Sequence, residues 1–378
     1  MLGVSSRLVS RLPRRAFSAV RGGEGTVVAL TGASGYIGSH IAALLVEDGY
    51  DVRAIVRDAS NDAKCAHLRA LGARRAGALT LWEGDLLAPG SFDAAFDGAA
   101  AVVHTAAHVE LGTGEHIVRA SLDGVSHLLA SLGKAPSVRR LVHTSSVAAV
   151  MHFAAPDGHV FTEADWNEQS TAETDAYGYA KTAAERAVGA FADAAAGRDV
   201  VCLNPAVAIG PVFTKPHTKA SAVFLRELLY ANPMLDAPMT FVDVRDVAAA
   251  HVAALTREAA GGRRFVCAGD APGCGPMRST ELGAVAARLF PALRVAARPK
   301  YSPAQLALAK ALSRLPVVGP RVMTSHDRQA LETVVTFDNR AAKEALGVAF
   351  RPLDESVRDG IQSMIDLGFV KPKYRSAA

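Results

Sequence analysis

Tyr177 and Lys181 stand four residues apart in Tyr177-Gly178-Tyr179-Ala180-Lys181, where a helical pattern begins. The phenol and the ammonium therefore share one helix face, while Tyr179 points elsewhere. A free phenol, with a pKa of about 10, is a weak acid-base catalyst near neutrality. A neighbouring ammonium favours its ionised form. Tyr-x-x-x-Lys pairs also arise as plain surface contacts, so the surroundings decide. Here Thr144-Ser145-Ser146 closes an apolar run that reads as a strand, and the carboxyl edge of an open α/β sheet is where such folds bind ligands. A serine hydroxyl at that edge can hydrogen-bond a substrate carbonyl while the tyrosine gives up its proton.

A second constellation supplies a place for a dinucleotide. The apolar run Thr26-Val27-Val28-Ala29-Leu30 stops at Thr31-Gly32-Ala33-Ser34-Gly35-Tyr36-Ile37-Gly38, and an amphipathic run follows at once. In this strand, turn and helix order Gly32 makes the turn, Gly35 admits a pyrophosphate and Gly38 lets helix pack on strand, with free N–H groups at the helix start. An acid usually ends the second strand of an NAD-binding unit. Here that strand ends Ile55-Val56-Arg57-Asp58, so Arg57, helped by Lys64, is expected to clamp the 2′-phosphate of NADP. The competing reading makes Asp58 the ribose acid and Arg57 a solvated charge. Asp85-Leu86, after the third strand, is expected beside the adenine, although Gly84-Asp85 is also simply a turn.

These residues need a scaffold, and the sequence provides one. Short apolar runs near 26–30, 51–56, 79–83, 101–105, 140–144 and 199–203 alternate with helical patterns near 36–48, 64–71, 91–96, 115–132 and 175–196. That alternation predicts an α/β fold, a doubly wound parallel sheet of the Rossmann kind. After Asn204 the prolines multiply, which marks a smaller mixed C-terminal lobe facing the substrate. The expected boundaries are 25–204 for the cofactor domain with its catalytic residues and 205–370 for the lobe, with 240–268 returning to the sheet and 371–378 a tail. Helices are expected at 279–289, 303–313 and 354–367, and another from Ala220 to Tyr230, either over the substrate cleft or purely structural.

Composition excludes several other classes. Half the chain is apolar and 21% charged, as in globular proteins. The net charge of +4 owes much to Arg7, Arg11, Arg14, Arg15 and Arg21, which precede the first acid, Glu24. The remaining charges are mixed, which argues against a nucleic-acid surface. Residues 1–24 have the composition of a mitochondrial or plastid transit peptide, or of a disordered basic tail on a cytoplasmic protein. Cys65, Cys202, Cys267 and Cys274 lack C-x-x-C spacing, which speaks against disulfides and zinc ribbons. No apolar run reaches membrane-spanning length. His104, His108, His143 and His152 fall near the active edge without metal-ligand spacing, so no metal is expected.

The glycine motif, Tyr177 with Lys181, and the preceding serine resemble the extended short-chain dehydrogenase/reductases. Val52 to Asp58, Leu79 to Leu86, Ser91-Phe92-Asp93, Val138 to Ser146, Asn204-Pro205, Phe241 to Val247 and Arg351-Pro352-Leu353 resemble, more narrowly, the group of dihydroflavonol reductase, cinnamoyl-CoA reductase and yeast-type carbonyl reductase. The resemblance runs from Thr26 to about Val370. It implies a catalytic triad of Ser146, Tyr177 and Lys181, with Ser145 the second choice of serine. Tyr177 would be the proton donor and Lys181 would hold the nicotinamide ribose. The cofactor contacts it implies are Gly32, Ser34, Gly35, Tyr36, Ile37, Gly38, Arg57, Lys64, Asp85, Leu86, Thr105, Ala106, Pro205, Tyr177 and Lys181.

Three positions depart from the group. Met151 stands where dihydroflavonol reductases carry a substrate-binding asparagine, which argues against a flavonoid. Asp175 to Lys181 lacks the cinnamoyl-CoA reductase signature, which leaves a thioester unsupported. Ser121 replaces a helix asparagine that relays protons in many relatives. The expected function is NADPH-dependent reduction of an aldehyde or ketone, the small-molecule partner being that carbonyl compound. Alternatives are an NAD-dependent hydroxysteroid dehydrogenase or nucleotide-sugar epimerase, and a non-catalytic NADPH-binding subunit or redox sensor. A homodimer through the helices near 115–132 and 175–196 is a further implication of the resemblance.

Overall fold

The computed structural model describes residues 19–20, 25–73, 78–107, 114–194, 198–270, 275–295, 297–313, 322–371 and 373. Seven strands form the central sheet: β1 Val27–Thr31, β2 Asp51–Val56, β3 Leu79–Glu83, β4 Ala101–His104, β5 Arg140–Thr144, β6 Asp199–Pro205 and β7 Arg264–Cys267. Their order is β7-β6-β5-β4-β1-β2-β3 and every pairing is parallel. The order reverses between β1 and β4, and the crevice at such a reversal takes the ligand. Helices cover both faces, which is why the strands read as unbroken apolar runs: Val28, Ala29 and Leu30 are all fully buried.

The two sheet faces bury different partners. One face, with Val28, Leu30, Val103, Val142 and Val201, packs under α1 Tyr36–Glu47 and, later in the chain, Val244–Thr256. The other, with Ala29, Val102, Leu141 and Val200, packs under α4 Glu115–Lys134 and α5 Ala176–Ala194 through Val125, Leu128 and Val188. Between these come α2 Asp62–Gly72 and the short α3 Asp93–Phe96.

The C-terminal segments add α6 Val223–Tyr230, α7 Val244–Thr256, α8 Ser279–Leu289, α9 Pro303–Leu312, α10 Ser325–Glu332 and α11 Leu353–Asp366. Leu225, Leu228 and Leu229 of α6 are buried, and Leu225 lies against Gly360 of α11, so this helix serves the core. No helix among the described residues is long and apolar enough to cross a membrane.

Two expectations need correction, and one helix stands outside them. The strand Phe241–Asp243 pairs with Val207–Ile209 in a separate ladder, and the strand that returns to the sheet is β7. Helix α10 was not anticipated; it is fixed by a capping box in which Thr324 and Asp327 satisfy each other's backbone N–H groups. Finally, the fold reaches back before Gly25. Val20 is fully buried, its N–H donates to the Leu255 carbonyl at 3.0 Å, and its carbonyl accepts from the Tyr50 hydroxyl at 3.1 Å. Residues 1–18 and 21–24 of the basic segment, His108 and Cys274 lie outside the described residues.

Candidate active site

The catalytic candidates converge from two elements. Asp175 caps α5, accepting from the Gly178 N–H at 3.1 Å and from the Ser170 hydroxyl at 2.8 Å, which fixes where the helix starts and so where Tyr177 projects. Lys181 follows one turn later with its ammonium 5.9 Å from the Tyr177 ring centroid. That ammonium donates to the Thr144 carbonyl at the end of β5 over 3.5 Å. The helix bearing the Tyr/Lys pair is therefore tied to the strand end bearing the serines.

The two serines have different duties. Ser145 donates to the carboxylate of Glu185 at 2.5 Å. The Ser146 hydroxyl oxygen accepts from the Ala148 N–H at 3.1 Å and caps a short 3-10 turn, Val147–Ala149. Its proton has no acceptor among the described residues. Glu185, another turn along α5, was missed in the sequence although it repeats the four-residue spacing of Tyr177 and Lys181. It is 2% exposed and also accepts from Asn204 at 2.8 Å and Arg264 at 2.7 Å.

Beside Lys181, His104 and His143 stack with centroids 5.4 Å apart. The Thr31 hydroxyl accepts from the Ala106 N–H and contacts His104 Nδ1 at 2.7 Å. Burial first, and then the Lys181 charge, pull His104 down to about 3; His143 is held well below its ordinary value, by burial first and then by its neighbours His104, Lys181 and His251. Both rings are neutral at physiological pH. Among the described residues no group of three or more His, Cys, Asp or Glu is arranged to hold a metal.

The glycine-rich loop fits a dinucleotide phosphate. Gly32 has φ +69°, and a Cβ there would meet Ala106 N at 2.7 Å; a Cβ on Gly38 would meet the Gly32 carbonyl at 2.2 Å. Gly35 precedes α1 without a side-chain cap, and no acid stands in the first turn. The N–H groups of Tyr36, Ile37 and Gly38 are thus left for an anion. Ser34 sits half-buried on the loop, its carbonyl facing His217 Nε2 at 3.2 Å. Thr105 donates to the Thr31 carbonyl at 2.8 Å and backs the turn. Pro205, buried, ends β6 at the same edge.

The Tyr36 ring is buried and its hydroxyl donates to the Gly210 carbonyl at 2.8 Å, so its backbone N–H, not its side chain, is the group left at the loop. Leu86 likewise turns its side chain onto Gly124 of α4. The Asp85 carboxylate accepts from the Leu87 N–H at 3.0 Å; one oxygen closes the turn and the other has no partner among the described residues.

Arg57, just after β2, and Lys64, in the first turn of α2, are exposed, and their side chains form no hydrogen bond or ion pair with the described residues. Asp58 instead accepts from the Ser60 hydroxyl at 2.6 Å and the Ser60 N–H at 2.9 Å, which lower its pKa. Glu83 is held by the Ala59 N–H at 3.0 Å. The acids here stabilise the loop, and the cations face solvent.

A cavity of about 220 Å³ opens beside the catalytic edge, lined among others by Met151, His152, Phe153, Asn167, Asp175 and His326. It lies between the segment after Ser146 and the cap of α5, with α10 closing it through His326, whose ring meets Phe153 edge-on at 5.1 Å. Sequence reading could not place His326 here, because α10 arrives from far along the chain.

Fold and site together define a dinucleotide-binding oxidoreductase with a Ser/Tyr/Lys edge. The family model for the NAD dependent epimerase/dehydratase family matches residues 28–268. Cinnamoyl-CoA reductase CAD2 of Medicago truncatula is 36% identical over 250 residues, 63% of this chain and 75% of that protein. Tetraketide alpha-pyrone reductase 1 of Arabidopsis thaliana is 30% identical over 354 residues, 91% of this chain and 96% of that one. The yeast methylglyoxal/isovaleraldehyde reductase Gre2, solved with NADPH, superposes with a TM-score of 0.71 at 24% identity over 91% of this chain and all of that one, a likeness of fold. The chain belongs to the NAD-dependent epimerase/dehydratase family, among the extended short-chain dehydrogenase/reductases.

Proposed function

We propose that this protein is an NADPH-dependent reductase of an aldehyde or ketone. The observation that carries the reading is the joint geometry of Tyr177 and Lys181 on one face of α5, Lys181 anchored at Thr144, and the free Ser146 hydroxyl on the strand end beside them. NADP(H) fits the uncapped start of α1, with the solvent-facing Arg57 and Lys64 taking its 2′-phosphate. When bound there, the cofactor would supply hydride to the carbonyl carbon. Ser146 donates a hydrogen bond to the carbonyl oxygen and orients it. Tyr177 gives that oxygen its phenolic proton, and the Lys181 ammonium stabilises the phenolate left behind. The cavity behind Met151 would receive the rest of the substrate. The curated relatives, both reductases, support the reaction class.

The test is steady-state oxidation of NADPH and NADH over a panel of aldehydes, ketones, flavanonols and steroids. Turnover preferring NADPH, lost by ~10²–10⁴-fold in Tyr177→Phe and by ~10²–10³-fold in Ser146→Ala, is the expected result. Binding of NADPH without turnover of any carbonyl would instead favour a non-catalytic subunit. An organellar address in the basic residues ahead of Val20, which itself belongs to the core, and a homodimer through α4 and α5 are part of the same proposal. The first rests on composition alone and is checked by the destination of a fluorescent fusion, the second by sedimentation.

A further inference from the structure

The reaction proposed above needs a hydroxyl from one element and a phenol from another held in one geometry, and a misplacement of about 1 Å costs on the order of 10²-fold in rate. Backbone pairing does not supply that link, because α5 packs on the sheet only through side chains. The structure places one buried carboxylate at the junction. Glu185 continues the face of Tyr177 and Lys181. One of its oxygens accepts from the Ser145 hydroxyl at 2.5 Å and from Asn204 at 2.8 Å, and Asn204 also donates to the Ser146 carbonyl at 3.1 Å. Glu185 therefore grips the serine residue itself through Asn204 and its neighbour directly.

The other oxygen accepts from Arg264 Nε at 2.7 Å. Arg264 in turn donates to the carbonyls of Glu163 and Asp165 at 3.2 and 2.6 Å and lies 3.6 Å over the Trp166 ring. The chain leading into α5 is thereby pinned to β7. With Glu185 2% exposed and the Arg264 side chain 12% exposed, removing both charges from water costs several kcal/mol per ion before any attraction is counted. Apolar packing would serve stability at less cost.

We propose that Glu185, with Arg264 as counter-ion, is a positioning residue that sets the Ser146 hydroxyl against Tyr177. This rests on the carbonyl-reductase reading. The test is a double-mutant cycle in the full chain: wild type, Glu185→Ala, Ser146→Ala and both, each measured for kcat, KM, NADPH affinity by fluorescence, and melting temperature. If Glu185 acts through Ser146, its loss lowers kcat ~10–100-fold, leaves NADPH affinity within ~2-fold because the glycine loop lies elsewhere on the sheet, and adds less than ~3-fold on top of Ser146→Ala. Independent, multiplying losses, or a kcat loss that follows weakened NADPH binding, overturn it.

Should Glu185→Ala not fold, Ser145→Ala removes one contact while leaving the carboxylate paired with Arg264 and Asn204; the same non-additivity is then expected on a loss of ~3–10-fold. If the wild type reduces no carbonyl, the function reading fails on its own, and crystal structures of wild type and Ser145→Ala with NADPH decide this one. A Ser146 hydroxyl displaced relative to Tyr177 supports it, and an unmoved one overturns it.

Discussion

Arg57 and Asp58 are adjacent, oppositely charged and both exposed, yet only one of them is available. Asp58 spends its carboxylate on the Ser60 turn, whereas Arg57 has no partner among the described residues. Arg57→Ala is therefore expected to raise KM for NADPH ~10–100-fold, the worth of a charge-assisted contact, and to leave KM for NADH within a factor of two. Equal losses with both cofactors would return the ribose contact to Asp58. The tight glycine turn and the shared helix face of Tyr177 and Lys181 were legible because they depend on near neighbours in the chain. The division of labour between Ser145 and Ser146 was not, since it is decided by Glu185, forty positions away. The buried ring of Tyr36 was hidden for the same reason, its acceptor being the Gly210 carbonyl.

Elements are held by a few buried polar contacts as well as by packing. Arg140 at the start of β5 is fully buried, pairs with Asp199 of β6 at 2.5 Å, and donates to the carbonyls of Ala254, Leu255 and Arg257 at 2.8–3.0 Å. It thus neutralises the negative end of α7, where the last carbonyls have no partner within the helix. Arg140→Met leaves the buried Asp199 carboxylate without a counter-ion, held only by the Gly262 N–H at 2.7 Å, and should cost about 3–5 kcal/mol in chemical denaturation; a loss below 1 kcal/mol would show that α7 is held by its apolar face alone. The main strands and helices could be read in advance because periodicity marks any segment that buries one face. What escaped was the partner of Phe241–Asp243, since its pairing with Val207–Ile209 is chosen by the tertiary fold. Val20 escaped because an Arg-rich context outweighs one valine in any compositional reading.

Across the whole molecule the histidines form a pattern that bears on stability. The hydroxyl of Tyr36 binds the Gly210 carbonyl and the ring of His40 the Pro211 carbonyl, while His217 faces the Ser34 carbonyl and His67 the Ser39 hydroxyl. The nucleotide loop is thereby clasped to the segment leading into the C-terminal lobe by neutral imidazoles. Burial is the first cause that brings His40, His67, His217 and His251 to about 4 and His104 to about 3. In the unfolded chain each titrates near 6.5. Between about pH 4 and 6.5 the unfolded state therefore binds more protons, and stability must rise with pH through that window, each ring contributing up to about 1.4 kcal/mol per pH unit. Asp246 works the other way, its carboxyl raised to about 6 by burial, and one such group offsets about one histidine. The fold should hold its full stability above about pH 6.5 and lose it progressively on acidification, well before ordinary carboxylates are protonated. Urea titrations at pH 5 and pH 7 check this: a lower midpoint at pH 5 is expected, and His217→Gln, which stays neutral throughout, should shrink the difference between the two midpoints. An unchanged difference in that variant would remove the clasp from the acid response and leave it to the His104, His143 and His251 group at the sheet's edge.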